Sequence, residues 1–306
     1  MTAQAMLLSC GLSFLFLLVL FRPLELAFPA RASQRFFRPD WALDLCYFLG
    51  QYLVWNALVL WALSYVAGAI DGLTPSGFRA AVAAQPWYVQ AVGVVVLSDL
   101  CVYWGHRLQH AVPLLWRFHS IHHSAEHLDW LAAHREHPLD TIYTLTLINL
   151  PALVVGFPLE TLAALAAFRG LWAIYIHSNV RLPMGPLKYL FGAPQLHHWH
   201  HDRARDAGNY ANISPLVDIV FGTYRCPDHE PERFGIAEPL PRGYVAQLLH
   251  PLMRKDSTRS DQAPRSLANS AASSAAGSSP NAGTEASACA VGNNAECSLE
   301  GVSQVT

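Results

Sequence analysis

Histidine is the residue type through which this chain could do chemistry. Eight of its fifteen histidines fall within residues 106–137, HRLQHAVPLLWRFHSIHHSAEHLDWLAAHREH, and five more within 177–201, HSNVRLPMGPLKYLFGAPQLHHWHH. Neutral imidazole binds borderline transition metals, so this crowding at the ends of apolar segments is the pattern of a metal site. His106 and His110 are spaced i, i+4 and project from one helix face. His119, His122 and His123 follow as HxxHH, His137 ends the HREHP run begun by His134, and His177 closes an apolar block. His197, His200 and His201 come from HHWHH, which also contains His198. With His127, His134 and His198 set aside, ten of these histidines remain, enough for two metals with four or five imidazoles each, where one tetrahedral zinc takes about three or four.

Two metals held by neutral imidazoles at a membrane surface suit iron used for oxygen activation. Such iron removes hydrogen from an unactivated C–H bond, which no side chain does alone. The same ligands would serve a two-zinc membrane hydrolase, in which the metal activates water. A catalytically silent membrane scaffold is the third reading.

The elements that must position these residues are apolar. The 306 residues are 52% hydrophobic and only 14% charged, against roughly 25% charged in ordinary soluble domains, and the apolar residues come in long blocks. The fold expected is all-α, a multi-span helical membrane protein with a cytosolic histidine-rich helical cap. Net charge is −2, with no basic stripe interleaved with aromatics, which excludes a nucleic-acid partner. Cys10, Cys46, Cys101, Cys226, Cys289 and Cys297 have no CxxC spacing, so neither a disulfide framework nor a thiolate metal site is indicated.

Ala5–Phe21 carries no charge and lacks the basic start and small-residue cleavage site of a signal peptide, so it reads as a retained span. The arginines after it, Arg22, Arg31, Arg35 and Arg38, place that loop on the cytoplasmic side by the positive-inside rule. Trp41–Ile70 is the second block, with Asp44 near its start expected at headgroup level. Trp87–Gly105 is the third and leads into His106. Leu139–Gly156 and Leu159–Ile176 follow, with Pro158 near the turn between them; as a tight hairpin they bring the two histidine clusters together. This gives four or five spans. Arg169 inside the last block requires polar protein, a cavity or headgroups on its face. Asp99 lies seven residues before His106, on the same helix face if the helix continues, where its carboxylate would meet a histidine ring N–H or the metals. We divide the chain into an N-terminal transmembrane region (1–89), a catalytic domain (90–250) and a Ser/Ala/Gly/Asn-rich tail (251–306) expected to be disordered.

These motifs resemble the fatty acid hydroxylase/sterol desaturase superfamily of membrane di-iron oxygenases over roughly residues 90–225. Asp99, Tyr103, Trp104, Gly105, His106, Arg107 and His110 resemble its first histidine box, and LWRFHSIHHS (115–124) its second. Arg135, Glu136, His137 and Pro138 resemble the Arg-x-His-Pro element. His177 with Ser178 and Asn179, and His197 to His201, resemble the later boxes, and Asp206, Asn209, Tyr210, Phe221, Gly222 and Thr223 the closing segment. Arg181 stands where some members have another histidine, and Val217 where many have Trp before the residue comparable to Asp218. The resemblance implies a di-iron centre, O2 and a sterol, fatty acyl or isoprenoid lipid that is hydroxylated or desaturated. It also implies an external electron donor, cytochrome b5 or a ferredoxin with its reductase. Asn179, Asp206, Asn209 and His198 are then expected to hydrogen-bond to and orient imidazoles. Tyr103, Trp104, Trp116 and Trp199 are expected to line a substrate passage.

Overall fold

The computed structural model describes residues 2–70, 72–203 and 208–253. Asp206 and nearly all of the low-complexity tail lie outside them. The described residues form eleven α-helices linked by short turns, and their only β pairings are two isolated bridges, Pro29 with Val180 and Asp202 with Phe234.

Helix α1 (Ala3–Ala27) is an apolar run whose first turn is capped by Thr2, its Oγ1 accepting from the Ala5 N–H at 3.2 Å. The second apolar block is α2 (Trp41–Gly50) and α3 (Asn56–Ile70), joined without a break by a π-helical turn over Gln51–Trp55. A short α4 (Ser76–Ala83) precedes α5 (Trp87–Ala111), which runs through Gly105 and so carries both His106 and His110. Among the described residues four helices are long and apolar enough to cross a membrane: α1, the α2–α3 stretch, α5 and α7 (Pro138–Val155). A further apolar helix, α8 (Leu159–His177), follows α7. Leu7, Leu12 and Val19 of α1, Leu60 and Trp61 of α3, and Val92 and Val96 of α5 are exposed. Outward apolar surface on spanning helices is what a bilayer solvates.

Proline sets the turns that matter. Pro113 holds Val112 in extended backbone, ending α5 and opening α6 (Pro113–His123), so the chain folds back and presents His119, His122 and His123 toward the end of α5. Pro138 opens α7 in the same way. That helix ends at Gly156, whose φ of 98° suits the residue after a helix, and Pro158 immediately starts α8. The hairpin therefore returns His177 to the end of the bundle where α7 began. Gly105 lets α7 approach α5 closely: a Cβ there would collide with the Leu147 side chain, and the Tyr143 hydroxyl donates to the Gly105 carbonyl at 3.2 Å.

The N-terminal region is not a separate body; it packs onto the segment between α6 and α7. Cys10, Leu17 and Phe21 of α1 share a core with Phe48, Trp130 and Leu131. The Glu25 carboxylate accepts from the backbone N–H groups of Trp130 (3.0 Å) and Asn179 (3.2 Å). Asp44 does not face headgroups: it is fully buried between Arg38 (2.7 Å) and Arg135, and Arg38 is in turn bidentate on Asp129 (2.7 and 2.6 Å). Arg38, counted above as a loop charge, is thus part of an internal ion-pair lattice.

Candidate metal centre

Nine histidines converge, in two groups. His106 and His110 come from α5, His119 and His123 from α6, and His200 from α9 (Pro194–His200). His122 of α6, His177 at the end of α8, His197 of α9 and His201 just beyond it form the second group. Within each group one ring nitrogen per residue lies within 4.8 Å of all the others. The groups adjoin, since His123 and His201 stack with centroids 4.3 Å apart.

The hydrogen bonds of the outer ring nitrogens fix which atom faces inward. Nδ1 of His106 meets the Tyr210 carbonyl (2.9 Å), Nδ1 of His122 that of Arg135 (3.2 Å), Nδ1 of His177 that of Ala173 (2.6 Å) and Nδ1 of His200 that of Gly208 (2.7 Å). Nδ1 of His119 meets Asp140 Oδ2 at 2.9 Å. A carbonyl or carboxylate oxygen only accepts, so each of these Nδ1 atoms carries the proton, leaving Nε2 a bare lone pair in the neutral ring. Yet Nε2 of His106 lies 3.1 Å from Nε2 of His119, and Nε2 of His122 lies 3.0 Å from Nε2 of His177. Acceptor facing acceptor at that distance is repulsive unless a cation sits between them. Nε2 of His110 and Nδ1 of His201 are buried with no partner at all among the described residues. Burial and mutual proximity push the pKa values of His119, His122, His123, His197, His200 and His201 well below the ordinary histidine value, so these rings present lone pairs at neutral pH. The donor set fits two borderline metal ions, one per group.

The remaining expected site residues lie elsewhere. His137 caps α7: its Nδ1 accepts from the Leu139 N–H (3.1 Å) and its Nε2 donates to the Leu248 carbonyl (3.1 Å), so no lone pair is left for a metal. His198 turns both nitrogens to oxygens, Glu230 at 2.6 Å and the Ser178 carbonyl at 3.1 Å. Burial alone would raise the Glu230 carboxyl, but the hydrogen bonds from His198 and Arg181 bring it down to about 2. Arg181 is thereby drawn away from the histidines. Asp99 meets no imidazole; it pairs with Arg169 (3.2 Å) and accepts from the backbone N–H groups of Ile213 and Ser214. Asn179 clamps the backbone of Arg31, and Asn209 ties Leu196 of α9 to Arg225; both grip backbone groups and neither bonds to an imidazole. Asp218 holds the Tyr210 and Ala211 N–H groups (2.8 and 3.0 Å), fixing the carbonyl used by His106.

A cavity of about 230 Å³ opens beneath the histidines between α5, α7 and α8. Its walls include His106, His119, His122, His177 and His197, with Leu145, Ile148 and Ile176. Tyr103, Trp104, Trp116 and Trp199 are absent from its lining. Tyr103 stacks on Phe221, Trp104 is exposed, Trp116 packs on the His110 ring, and Trp199 donates to the His229 carbonyl. Burial, with Asp140 nearby, pushes up the pKa of the Glu136 carboxyl, which also lines the cavity. Sequence reasoning missed Asp140 and Gln109. Gln109 Nε2 donates to Asp140 Oδ1 (2.6 Å), which turns Oδ2 onto His119. The available signal was a carboxylate in the first turn of an apolar helix beside a histidine run, a position that ordinary helix capping also explains.

Residues 91–223 match the family described as fatty acid hydroxylase. The chain is 33% identical over 173 residues to the ornithine lipid hydroxylase OlsE of Rhizobium tropici, covering 56% of this chain and 52% of that protein. It is 33% identical over 156 residues to human alkylglycerol monooxygenase, covering 50% and 34%. A Delta(7)-sterol 5(6)-desaturase of Gibberella zeae is 31% identical over 138 residues, covering 44% and 37%. The matches thus span about half of the first relative's length and about a third of the others'. No solved structure matches.

Proposed function

We propose that this chain, which over residues 91–223 matches the family described as fatty acid hydroxylase, is a membrane di-iron oxygenase of the fatty acid hydroxylase/sterol desaturase superfamily that hydroxylates or desaturates a lipid with O2. The observation that carries this is the convergence of inward-facing imidazole lone pairs, held there by outward-facing Nδ1–H groups, above an apolar cavity. Two irons bound by these groups would supply the oxygen activation and C–H oxidation that side chains lack. His106, His110, His119, His123 and His200 would hold one, and His122, His177, His197 and His201 the other. Asp140 holds the His119 ring in one tautomer, and the carbonyls of Tyr210, Arg135, Ala173 and Gly208 do the same for their partners. The cavity keeps water from a bound lipid chain and lays it beneath both groups.

Electrons come from a separate protein of the cytochrome b5 or ferredoxin type. The histidine face lies on the cytosolic side, a reading supported by the arginines that follow α1. The relatives named for ornithine lipid, alkylglycerol and sterol support a lipid substrate.

The test is metal analysis of the detergent-purified, iron-replete protein with Mössbauer spectroscopy before and after oxygen exposure. Two coupled irons that react with oxygen are expected. Two tightly held zincs and no oxygen reaction after reconstitution with iron would overturn the proposal.

A further inference from the structure

The end of the cavity away from the histidines is polar. Arg169 faces it and is 3% exposed. One of its terminal nitrogens donates to Ser98 Oγ (3.1 Å) and the other to Asp99 (3.2 Å), while its Nε–H has no acceptor among the described residues. Asp99 also accepts from the N–H groups of Ile213 (3.2 Å) and Ser214 (2.7 Å), which draws the adjoining Asn212 to the same cavity. Asn212 Oδ1 is likewise buried without a donor. One donor and one acceptor therefore remain unmet at a cavity whose wall also carries Val102, Leu145, Leu147, Ile148, Ala166 and Ile176, with Thr144 and Asn149 as further polar residues, and buried groups of this kind are costly to leave unpaired. An anion does not suit the site, because Asp99 already neutralises Arg169. A hydroxyl does, since it accepts from one group and donates to the other.

Two helices act as rulers to the histidines. Arg169 precedes His177 on α8 by eight residues and Asp99 precedes His106 on α5 by seven, a rise of about 12 Å and about 10 Å. We propose that Arg169 and Asn212 bind an uncharged hydroxyl of the lipid. Resting on the oxygenase reading above, this makes the substrate an alcohol-bearing lipid oxidised at a carbon about 10–12 Å from that hydroxyl.

The test is equilibrium binding of radiolabelled 1-dodecanol and of radiolabelled dodecane to nanodisc-embedded protein, with uptake by empty nanodiscs subtracted. The wild-type chain is compared with Arg169→Lys, which keeps a cation beside Asp99 but has no Nε–H, and with Asn212→Ala. Metal content and thermal unfolding check that each variant folds. Wild type is expected to prefer dodecanol by about tenfold, and each variant by no more than about twofold, with dodecane affinity unchanged. Equal affinity of wild type for the two probes would overturn the proposal, because the unmet groups would then be served by water. A preference that survives in Asn212→Ala and in Arg169→Lys would also overturn it, since the hydroxyl would be bound at the histidine end. If Arg169→Lys fails to fold, Asn212→Ala decides. Failure of the oxygenase reading is a separate result: hydroxyl preference retained, with zinc in place of iron and no oxygen consumption.

Discussion

Two buried polar clusters adjoin in this molecule, and they are built on opposite principles. In the lattice of Arg38, Asp44, Asp129 and Arg135, every charge meets an opposite charge, including a bidentate Arg38–Asp129 pair. In the histidine groups, acceptor faces acceptor: His106 to His119 at 3.1 Å and His122 to His177 at 3.0 Å. The first cluster is complete within the chain and holds the N-terminal region against the segment between α6 and α7. The second presents lone pairs that a bound cation would satisfy. Arg135 joins them, its side chain in the lattice and its carbonyl on His122 Nδ1. A cluster closed on itself serves the fold, and one whose lone pairs point inward serves a ligand.

This contrast is broken most severely at the histidines. His122→Ala or His200→Ala should lower metal content from about two ions per chain to about one and abolish oxygen-dependent turnover. The metal-free variant should unfold no earlier than metal-free wild type, because a repulsive pair has been relieved; metal analysis and melting curves in detergent check both. In the lattice the order is reversed. Arg38→Met strands the Asp129 carboxylate and leaves Asp44 with Arg135 alone; it should cost about 3–5 kcal/mol of stability, in metal-free and metal-loaded protein alike, as read by thermal unfolding.

His134 sharpens the comparison, being a buried imidazole outside both metal groups with its Nδ1 unmet. Burial lowers its pKa to about 4. The unfolded chain therefore takes up a proton between the ordinary value near 6.5 and about 4 that the folded chain refuses. Stability is full above that window and falls as pH drops through it, by about 3 kcal/mol at most. His134→Phe should flatten the pH dependence of unfolding over this range relative to wild type. The mildest change is Asp140→Asn, which keeps the shape but weakens the grip on His119 Nδ1–H. It should lower metal affinity in the five-histidine group by about 10–100-fold, measured by competition with a chelator, and leave unfolding of the metal-free protein nearly unchanged.

Much of the site was legible in the chain because helical spacing alone puts His106 and His110, or His119 and His123, on one face. The apolar blocks were legible for a similar reason, since a bilayer demands length and hydrophobicity that composition displays directly. His137 was misread because it sits beside the second histidine box. Its role is decided by Pro138, which starts a helix that needs a cap, and by Leu248, 111 residues away. Asp99 was expected to meet a histidine ring or the metals, but its partner, Arg169, lies 70 residues on.

The sequence by itself determined the helical membrane architecture and singled out imidazole, with most of the histidines that converge in the fold. These depend on local periodicity and residue chemistry. Only the tertiary structure decided the division of nine histidines into five and four, the tautomer of five of those rings and the polar far end of the cavity. Those depend on which helix packs against which, and on backbone carbonyls that every residue carries and no sequence pattern distinguishes.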